Sequence, residues 1–310
     1  MSHFKKIIIC VDAGGTSCKV AIYSLEGVVL SKGIGKSGSP AVTKDWYLHI
    51  NSAIQDALSK ITEIEYQILG IQIGVSGISA LHSYDDVREY FINIYQSPCY
   101  ITSDTMSALY SVLHENEEEG IVVISGTGVG VFGQNKGGKT WLIGGWGHLI
   151  REYGSAYSIV HRFCVHLINH FESMKELSIL EKLFLQRCNF KNIRDLNHLF
   201  YQNDKDKIAN LSIFFKEEAN KGNKEAIHLL KEQGMFLGKQ VKQVMKFLNL
   251  PNQTKIGFRG GFLEKDGKYI LQGIHEYFEQ NGIVLTFEEK SMDQLYGVYR
   301  LALNNIRSVI

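Results

Sequence analysis

A chain of 310 residues is long enough for about two domains of ordinary size, each with its own core. Hydrophobic residues make up 45% and charged residues 21%, which excludes a disordered chain, and no apolar stretch approaches the roughly 18 residues of a membrane span. The 33 basic and 32 acidic residues leave a formal net charge of +1, so no overall positive field attracts nucleic acid or an anionic membrane. Any ligand must therefore be recognised at a local site.

The five cysteines are scattered along the chain and never spaced as C-x-x-C, which favours reduced thiols over a disulfide framework or a zinc site. The apolar run near the start, KKIIICV at 5–11, is cut off by Asp12 and is too short for a signal peptide. We expect a cytoplasmic protein.

The first half of the sequence alternates strand and helix patterns. KKIIICV, the turn DAGGTS and the runs on either side of a Glu-Gly turn predict an antiparallel meander of three strands. Helical spacing follows over 47–60, then the strand ILGIQIGVSGI, a helix over 85–95, the strand YITSD and the helix TMSALYSVL.

The acidic stretch HENEEEG at 114–120 interrupts this pattern and predicts a boundary between domains at 1–118 and 119–310. The opening pattern then returns as IVVIS, the turn GTGVG, VFGQ, the turn NKGG and KTWLIGG. Two halves that begin alike indicate a duplicated α/β unit, whose Gly turns would face each other across a cleft. Residues 154–250 predict a helical insertion, and after two further strand patterns the final helix QLYGVYRLALNNI is a candidate to pack back on the first domain.

Two phosphate-binding patterns match literally and are rejected on context. GQNKGGKT at 133–140 fits the P-loop pattern, and the glycines at 128, 130 and 133 fit G-x-G-x-x-G. Both motifs need a helix directly afterwards, because its N-terminal amides bind the phosphate. The following TWLIGGWGHL has no helical spacing, which predicts a hairpin turn instead.

Three local patterns have both a chemical and a purely structural interpretation. In the turn from Asp12 to Thr16, an acid at a strand end precedes two glycines and a hydroxyl, which suits a metal-bound phosphate but equally an Asx turn in a hairpin. Asp104 follows a strand and precedes a helix, so it is either a general base or, as the local pattern favours, an N-cap. The turn Gly126-Thr127-Gly128 repeats the first ambiguity.

Three histidines lie on one predicted helix, with His166 and His170 at spacing i, i+4 and His161 five residues before His166. A metal pair is conceivable, but no glutamate follows His166 as the H-E-x-x-H pattern of zinc proteases requires. The pattern favours polar margins of an amphipathic helix.

Taken together, the motifs resemble the N-acetylglucosamine kinase branch of the actin-like ATPase and sugar kinase superfamily, which shares its fold with the BadF/BadG-type ATPases. The resemblance covers nearly the whole chain and rests on these segments, in the family's order: DAGGT, SDTMSA, ISGTGVG, GGWGHLIREYGSAYSI, EEANKGNKEA and GFRGGF. It implies an α/β fold of two ribonuclease-H-like (actin-like ATPase) domains with mixed five-stranded sheets around an interdomain cleft.

The resemblance also implies roles for individual residues. Asp104 matches the catalytic aspartate that contacts the sugar hydroxyl, and Asp12 the residue that positions Mg2+ through water. The expected ATP-binding residues are Asp12, Gly14, Gly15, Thr16, Gly126, Thr127, Gly128, Gly260 and Gly261. The expected sugar-binding residues are Ser39, Asp104, Gly145, Trp146, Gly147, His148 and Glu152.

Three departures from the family pattern bear on the identity of the sugar and, to a smaller degree, on activity itself. Glu152 stands where an aspartate is usual, Ser39 where an asparagine is expected, and Val129 where a serine usually follows GTG. Arg151 is either a solvated side chain, which the pattern favours, or a partner for the lactyl carboxylate of N-acetylmuramic acid.

The resulting hypothesis is an ATP- and Mg2+-dependent kinase that phosphorylates N-acetylglucosamine at its 6-hydroxyl. N-acetylmuramic acid and glucosamine are alternative substrates, and a homodimer is left open. The competing hypotheses are a BadF-type regulatory ATPase without a sugar acceptor and a sugar sensor without catalysis. Activators of the regulatory type hold an iron–sulfur cluster through cysteines, which are not suitably arranged here.

Overall fold

The computed structural model describes residues 4–62, 65–114, 117–264, 267–283, 286–287 and 292–307. The chain forms two compact units: the first comprises Met1–Asn116 and Lys290–Ile310, and the second comprises Glu117–Glu289. The boundary lies within the acidic stretch, and the last segment belongs to the first unit although the predicted second domain extended to residue 310.

The elements in chain order are β1 (Lys5–Ala13), β2 (Ser17–Ser24), β3 (Val29–Lys36), α1 (Trp46–Leu58), β4 (Tyr66–Val75), α2 (Asp85–Tyr95), β5 (Cys99–Ser103), α3 (Asp104–Tyr110), β6 (Gly120–Ser125), β7 (Val129–Gln134), β8 (Thr140–Gly144), α4 (Ala156–Glu172), α5 (Ile179–Arg187), α6 (Leu196–Gln202), α7 (Lys205–Asn210), α8 (Ser212–Asn220), α9 (Lys224–Leu248), β9 (Lys255–Arg259), α10 (Gly261–Glu264), α11 (Lys268–Gln280), β10 (Thr286–Phe287) and α12 (Gln294–Arg307). Residues 284 and 285 of the predicted last strand lie outside the described residues. Among the residues that the structure describes, none of the helices combines the length and the apolar composition needed to cross a bilayer.

The first unit is a mixed sheet of order β3-β2-β1-β4-β5. The strands β1, β2 and β3 form the antiparallel meander, and β1, β4 and β5 are parallel. Because side chains alternate between the faces of a strand, Ile7 and Ile9 enter the core under α1, whereas Ile8 and Cys10 enter the core under α12. The central strand is therefore apolar at consecutive positions, as expected when helices cover both faces of a sheet.

The second unit repeats this design with the order β10-β9-β6-β7-β8. The strands β6, β7 and β8 are antiparallel, and β6, β9 and β10 are parallel. The strands β6 to β10 thus occupy the places in the second sheet that β1 to β5 occupy in the first sheet. This correspondence confirms the duplication predicted from the two Gly turns. The helices α4 to α9 form the helical insertion that the sequence predicts over 154–250.

The segment that matches the P-loop pattern is the hairpin between β7 and β8, as predicted. Lys139 lies at the end of this turn, where its backbone amide donates to Asn135 Oδ1 at 3.0 Å and its ammonium lies 4.3 Å from the centre of the Phe247 ring. No helix follows, so the lysine lacks the helix N-terminus that a P-loop requires.

Candidate active site

Three polar residues lie where neighbouring parallel strands of the first unit end. The last register pairs join Ala13 of β1 to Val75 of β4, and Val75 to Ser103 of β5. Asp12, Ser76 and Asp104 therefore share the carboxyl edge of these strands, which is the edge where open α/β sheets bind ligands.

Asp104 is the first residue of α3, and its carboxylate is not the cap of that helix. Ser103 is the N-cap, because its hydroxyl accepts a hydrogen bond from the Met106 amide at 3.3 Å. The Asp104 carboxylate instead accepts hydrogen bonds from the Ser76 side chain and from the backbone amides of Thr105 and of Asp104 itself. The prediction that Asp104 is the N-cap is therefore wrong, because the hydroxyl of Ser103 accepts the capping hydrogen bond.

Burial raises the pKa of the Asp104 carboxyl above the usual aspartate value, and the hydrogen bonds from Ser76 and the two amides lower the pKa in part. Desolvation therefore increases the proton affinity of this carboxylate. A hydrogen-bonded acid at a sheet edge with raised proton affinity has the properties of a general base.

Ser76 is held by two backbone hydrogen bonds that fix its position beside Asp104. Its amide donates to the Ala13 carbonyl at 2.9 Å, and its carbonyl accepts from the Ser39 hydroxyl at 2.7 Å. Ser39 is buried, so its hydroxyl supports the end of β4 in this structure. The sugar contact expected of Ser39 stays a prediction. Sequence reasoning missed Ser76, although a serine followed by glycine directly after an apolar strand resembles the first Gly turn.

The first Gly turn joins β1 to β2 and is closed by the Gly14 amide, which donates to the Ser17 carbonyl at 3.0 Å. Gly15 and Thr16 are exposed, so their amides and the threonine hydroxyl are accessible to a ligand. Asp12 precedes them, and its Oδ1 accepts from Gln294 Nε2 of α12 at 3.1 Å. A carboxylate oxygen beside a solvent-accessible turn suits Mg2+, which takes hard oxygen ligands and retains several waters.

In the second unit, two glycine-rich segments meet at the carboxyl edge of parallel strands. Ile124 of β6 pairs with Arg259 of β9, which places the turn starting at Gly126 beside Gly260. Gly260 has φ +98° and lies so close to the Ser125 backbone that a Cβ would overlap the Ser125 carbonyl oxygen. Only glycine meets both requirements at this position.

A cavity of about 520 Å³ opens beside these segments. Helices α7 and α8 of the insertion supply the wall opposite the glycines. The lining residues are Gly126, Thr127, Ala156, Ala209, Asn210, Ser212, Ile213, Lys216, Glu217, Asn220, Gly261 and Phe262. The structure thus brings the predicted nucleotide residues Gly126 and Thr127 together with Gly261, which is far from them in sequence.

Lys216 is one of the lining residues that the sequence analysis did not single out. Its ammonium donates to the Phe262 carbonyl at 2.7 Å and lies 4.0 Å from the centre of the Phe262 ring. These contacts join α8 to Phe262, which directly follows Gly260 and Gly261. The helical insertion therefore completes a cavity that the sheet alone would leave open.

The predicted sugar loop follows β8 and depends on left-handed backbone conformations. Gly145 has φ +74° and Gly147 has φ +85°, while the Gly145 amide donates to the Val129 carbonyl at 2.9 Å. Between the two glycines, the Trp146 side chain is 64% exposed. The His148 ring packs edge-on against Tyr157 at 4.9 Å between centroids. The two glycines thus permit the left-handed backbone of this loop, and the loop exposes the Trp146 indole to solvent.

Glu152 is buried and ion-paired. Its Oε1 lies 3.0 Å from Lys205 Nζ, and its Oε2 accepts from the Ser155 hydroxyl at 3.3 Å. A Cβ at Gly128 would lie 3.1 Å from Glu152 Oε1 and 3.3 Å from Lys205 Nζ, so the pair lies directly against the second Gly turn. Sequence reasoning missed Lys205, because nothing local connects residues 53 positions apart.

Arg151 beside it is exposed, and its guanidinium lies 5.7 Å from the centre of the Tyr153 ring. This geometry agrees with the solvated interpretation of Arg151.

The duplicated mixed sheets define an actin-like ATPase fold. The chain belongs to the BadF/BadG/BcrA/BcrD ATPase family, whose model matches residues 9–286.

The chain is 26% identical, over 96% of its length and 98% of the relative, to an N-acetylmuramic acid/N-acetylglucosamine kinase of Clostridium acetobutylicum. It is 24% identical, over 97% of its length and 99% of the relative, to an N-acetyl-D-glucosamine kinase of Dictyostelium discoideum. Among solved structures, a protein of Chromobacterium violaceum assigned provisionally as an N-acetylglucosamine kinase matches with a TM-score of 0.69 at 18% identity, covering 96% of this chain and 99% of that one.

Proposed function

We propose that this protein transfers the γ-phosphoryl group of ATP to the 6-hydroxyl of an amino sugar, with N-acetylglucosamine as the primary substrate. The observation that carries the proposal is the Asp104 carboxylate, which is half-buried at the carboxyl edge of parallel strands and hydrogen-bonded by Ser76. The similarity to two amino-sugar kinases over nearly the full chain supports the same assignment.

The cavity of the second unit is the proposed site of the nucleoside. Gly126 and Thr127 would approach the phosphates, since turns without side chains let backbone amides contact phosphate oxygens. Gly14, Gly15 and Thr16 are proposed, from the resemblance, to offer the same kind of donors to the phosphates. Asp12 would hold Mg2+ through water, and the ion would neutralise charge on the phosphates.

In the proposed reaction, the Asp104 carboxylate accepts the proton of the sugar hydroxyl as that oxygen bonds to the γ-phosphorus. The bond from phosphorus to the bridging oxygen breaks, and ADP leaves with the electron pair. The products are the sugar 6-phosphate, ADP and the proton held by Asp104. Most of the rate enhancement of such transfers comes from positioning and electrostatic stabilisation.

The sugar contacts are proposed for the loop that contains Gly145, Trp146, Gly147 and His148. The exposed Trp146 indole offers an apolar surface for one face of a sugar ring or for an acetyl methyl group. Glu152 can still accept hydrogen bonds from ring hydroxyls, because an ionised carboxylate has more acceptor positions than Lys205 and Ser155 use. The Lys205 ammonium beside the same turn also suits an acidic sugar, which keeps N-acetylmuramic acid among the substrates to be tested.

The second candidate function is a regulatory ATPase that would hold an iron–sulfur cluster through cysteines. Four of the five thiols are buried, namely those of Cys10, Cys18, Cys99 and Cys164. Burial raises the pKa of Cys18 and of Cys99 to about 12, which keeps these thiols protonated. A cluster needs thiolate ligands, so the burial of the cysteines favours the kinase.

The test is an ADP-release assay with N-acetylglucosamine, N-acetylmuramic acid, glucosamine and glucose, with 6-deoxy-N-acetylglucosamine as the matched control. We expect the highest kcat/KM with N-acetylglucosamine, a 6-phosphate product by phosphorus NMR, and no sugar-dependent ADP release with the 6-deoxy compound. ADP release that no sugar stimulates would refute the kinase and favour the regulatory ATPase. Preference for glucose over every amino sugar would refute the proposed substrate class.

A further inference from the structure

We propose that the helical insertion contains a Zn2+ site formed by His166, His170 and Glu181. The two histidines lie on α4, and the glutamate lies in the first turn of α5. None of the three lines the proposed nucleotide cavity. The site therefore concerns a part of the molecule that the kinase mechanism does not use.

The three side chains come together closely enough to share one ion. His166 and His170 are one helical turn apart, with ring centroids separated by 4.2 Å. Glu181 lies against the second histidine, with Oε1 and Oε2 at 3.1 Å and 3.2 Å from His170 Nδ1. One ligand atom from each residue lies within 4.8 Å of the other two.

The Glu181 carboxylate has an unused ligand position in a fully buried place. The residue is 0% exposed, and its Oε2 accepts from the Ser178 amide at 2.7 Å as part of the cap of α5. Its Oε1 makes no hydrogen bond among the described residues, and its near polar neighbour is His170 Nδ1 at 3.1 Å. A buried carboxylate oxygen that makes no hydrogen bond is costly, and a cation bound between the two residues would offset that cost.

The donor set selects the metal. Two imidazole nitrogens and one carboxylate oxygen suit Zn2+, whereas Mg2+ prefers oxygen ligands only. For metal–ligand distances of about 2.0–2.2 Å in a tetrahedral site, two ligand atoms stand roughly 3.3–3.6 Å apart. The separations of 3.1 Å and 3.2 Å between His170 and Glu181 are within a few tenths of an ångström of that spacing. His166 is exposed, so water can complete the coordination and the ion can enter.

The consequence for the fold is a link between two helices. α4 ends at Glu172 and α5 begins at Ile179, so the ion would join the end of one helix to the start of the next. The alternative is an ordinary ion pair between His170 and Glu181, with His166 solvated. The two interpretations differ in the role of His166, which only the metal site requires.

The test uses the full chain, treated with a chelator and free of nucleotide, and titrated with Zn2+ by calorimetry. We expect one equivalent to bind and the melting temperature to rise by about 5 °C at ~100 times the dissociation constant. Substitution of Co2+ should give the visible spectrum of a site without thiolate ligands, and Mg2+ should not compete. His166→Ala should weaken Zn2+ binding at least ~10-fold, since loss of a residue that only supports a ligand already costs about 10–100-fold in metal affinity.

His161→Ala is the matched control, since this histidine is exposed on the same helix outside the cluster. It should bind Zn2+ as the unmodified chain does. Equal affinity of the His166→Ala and His161→Ala variants, or no binding by the unmodified chain, would overturn the proposal. Glu181→Gln, which keeps an acceptor for the Ser178 amide, should also lose affinity. If that variant fails to fold, the comparison of the two exposed histidines still decides.

Discussion

Replacing Asp104 with asparagine should separate catalysis from binding and from stability. Asparagine keeps the size of the side chain and an oxygen that accepts hydrogen bonds from Ser76 and Thr105, but it cannot accept the substrate proton at neutral pH. The nucleotide cavity contains no atom of Asp104, so ATP affinity should not change.

The expected loss in kcat follows from the role of a general base, which contributes about 10²–10⁴-fold. At about 1.36 kcal/mol for each factor of ten, this corresponds to roughly 3–5 kcal/mol of transition-state stabilisation.

The same substitution should raise the melting temperature near pH 7.5. The pKa of Asp104 is raised in the folded state by burial, so its contribution to stability is present below the unfolded carboxyl pKa and lost as the pH rises through the folded value. Asparagine removes this loss, and the gain should vanish in acid.

Three measurements check this reasoning: ADP release with N-acetylglucosamine, ATP binding by calorimetry, and melting curves at several pH values. Asp86→Asn is the matched control, because Asp86 is exposed on α2 of the same unit. It should leave ADP release and ATP binding unchanged, and it should not raise the melting temperature, because the charge of Asp86 in the first turn of α2 favours the helix dipole. A kcat of Asp104→Asn within about threefold of the unmodified chain would refute a general-base role.

Three further substitutions test other parts of the site. Ser76→Ala should move the acidic limb of the kcat/KM profile to higher pH, because the Ser76 hydrogen bond lowers the pKa of Asp104; an unchanged limb would contradict this positioning role. Lys205→Met should lower the free energy of unfolding, measured by urea denaturation, by about 1–3 kcal/mol. The substitution leaves the buried Glu152 carboxylate without a cation, and the loss is moderate because Lys205 itself is partly exposed. No change would mean that the pair is not formed. Lys139→Ala should leave kcat/KM for ATP within about twofold, and a large loss would restore the P-loop interpretation of the hairpin.

The amino-acid sequence by itself determined the elements and their repeated order. The apolar runs at 5–11 and 121–124 predict buried strands, and each is followed by a glycine turn and a second strand. This information is local, because backbone conformation and strand burial depend mainly on neighbouring residues. The same local information rejected the P-loop pattern at 133–140, where no helix follows. The family motifs added the expected positions of Asp12 and Asp104.

Tertiary structure alone decided which side chains are partners. Ser76 meets Asp104 because β4 and β5 end at the same edge, and Lys205 meets Glu152 because α7 packs near the second Gly turn. The Glu181 that completes the histidine pair comes from the next helix, so the spacing rule for one helix could not find it. Such contacts join residues from separate elements whose packing no local periodicity encodes. The sequence therefore predicts where polar groups occur, and the packing of distant elements determines what each of them can bind.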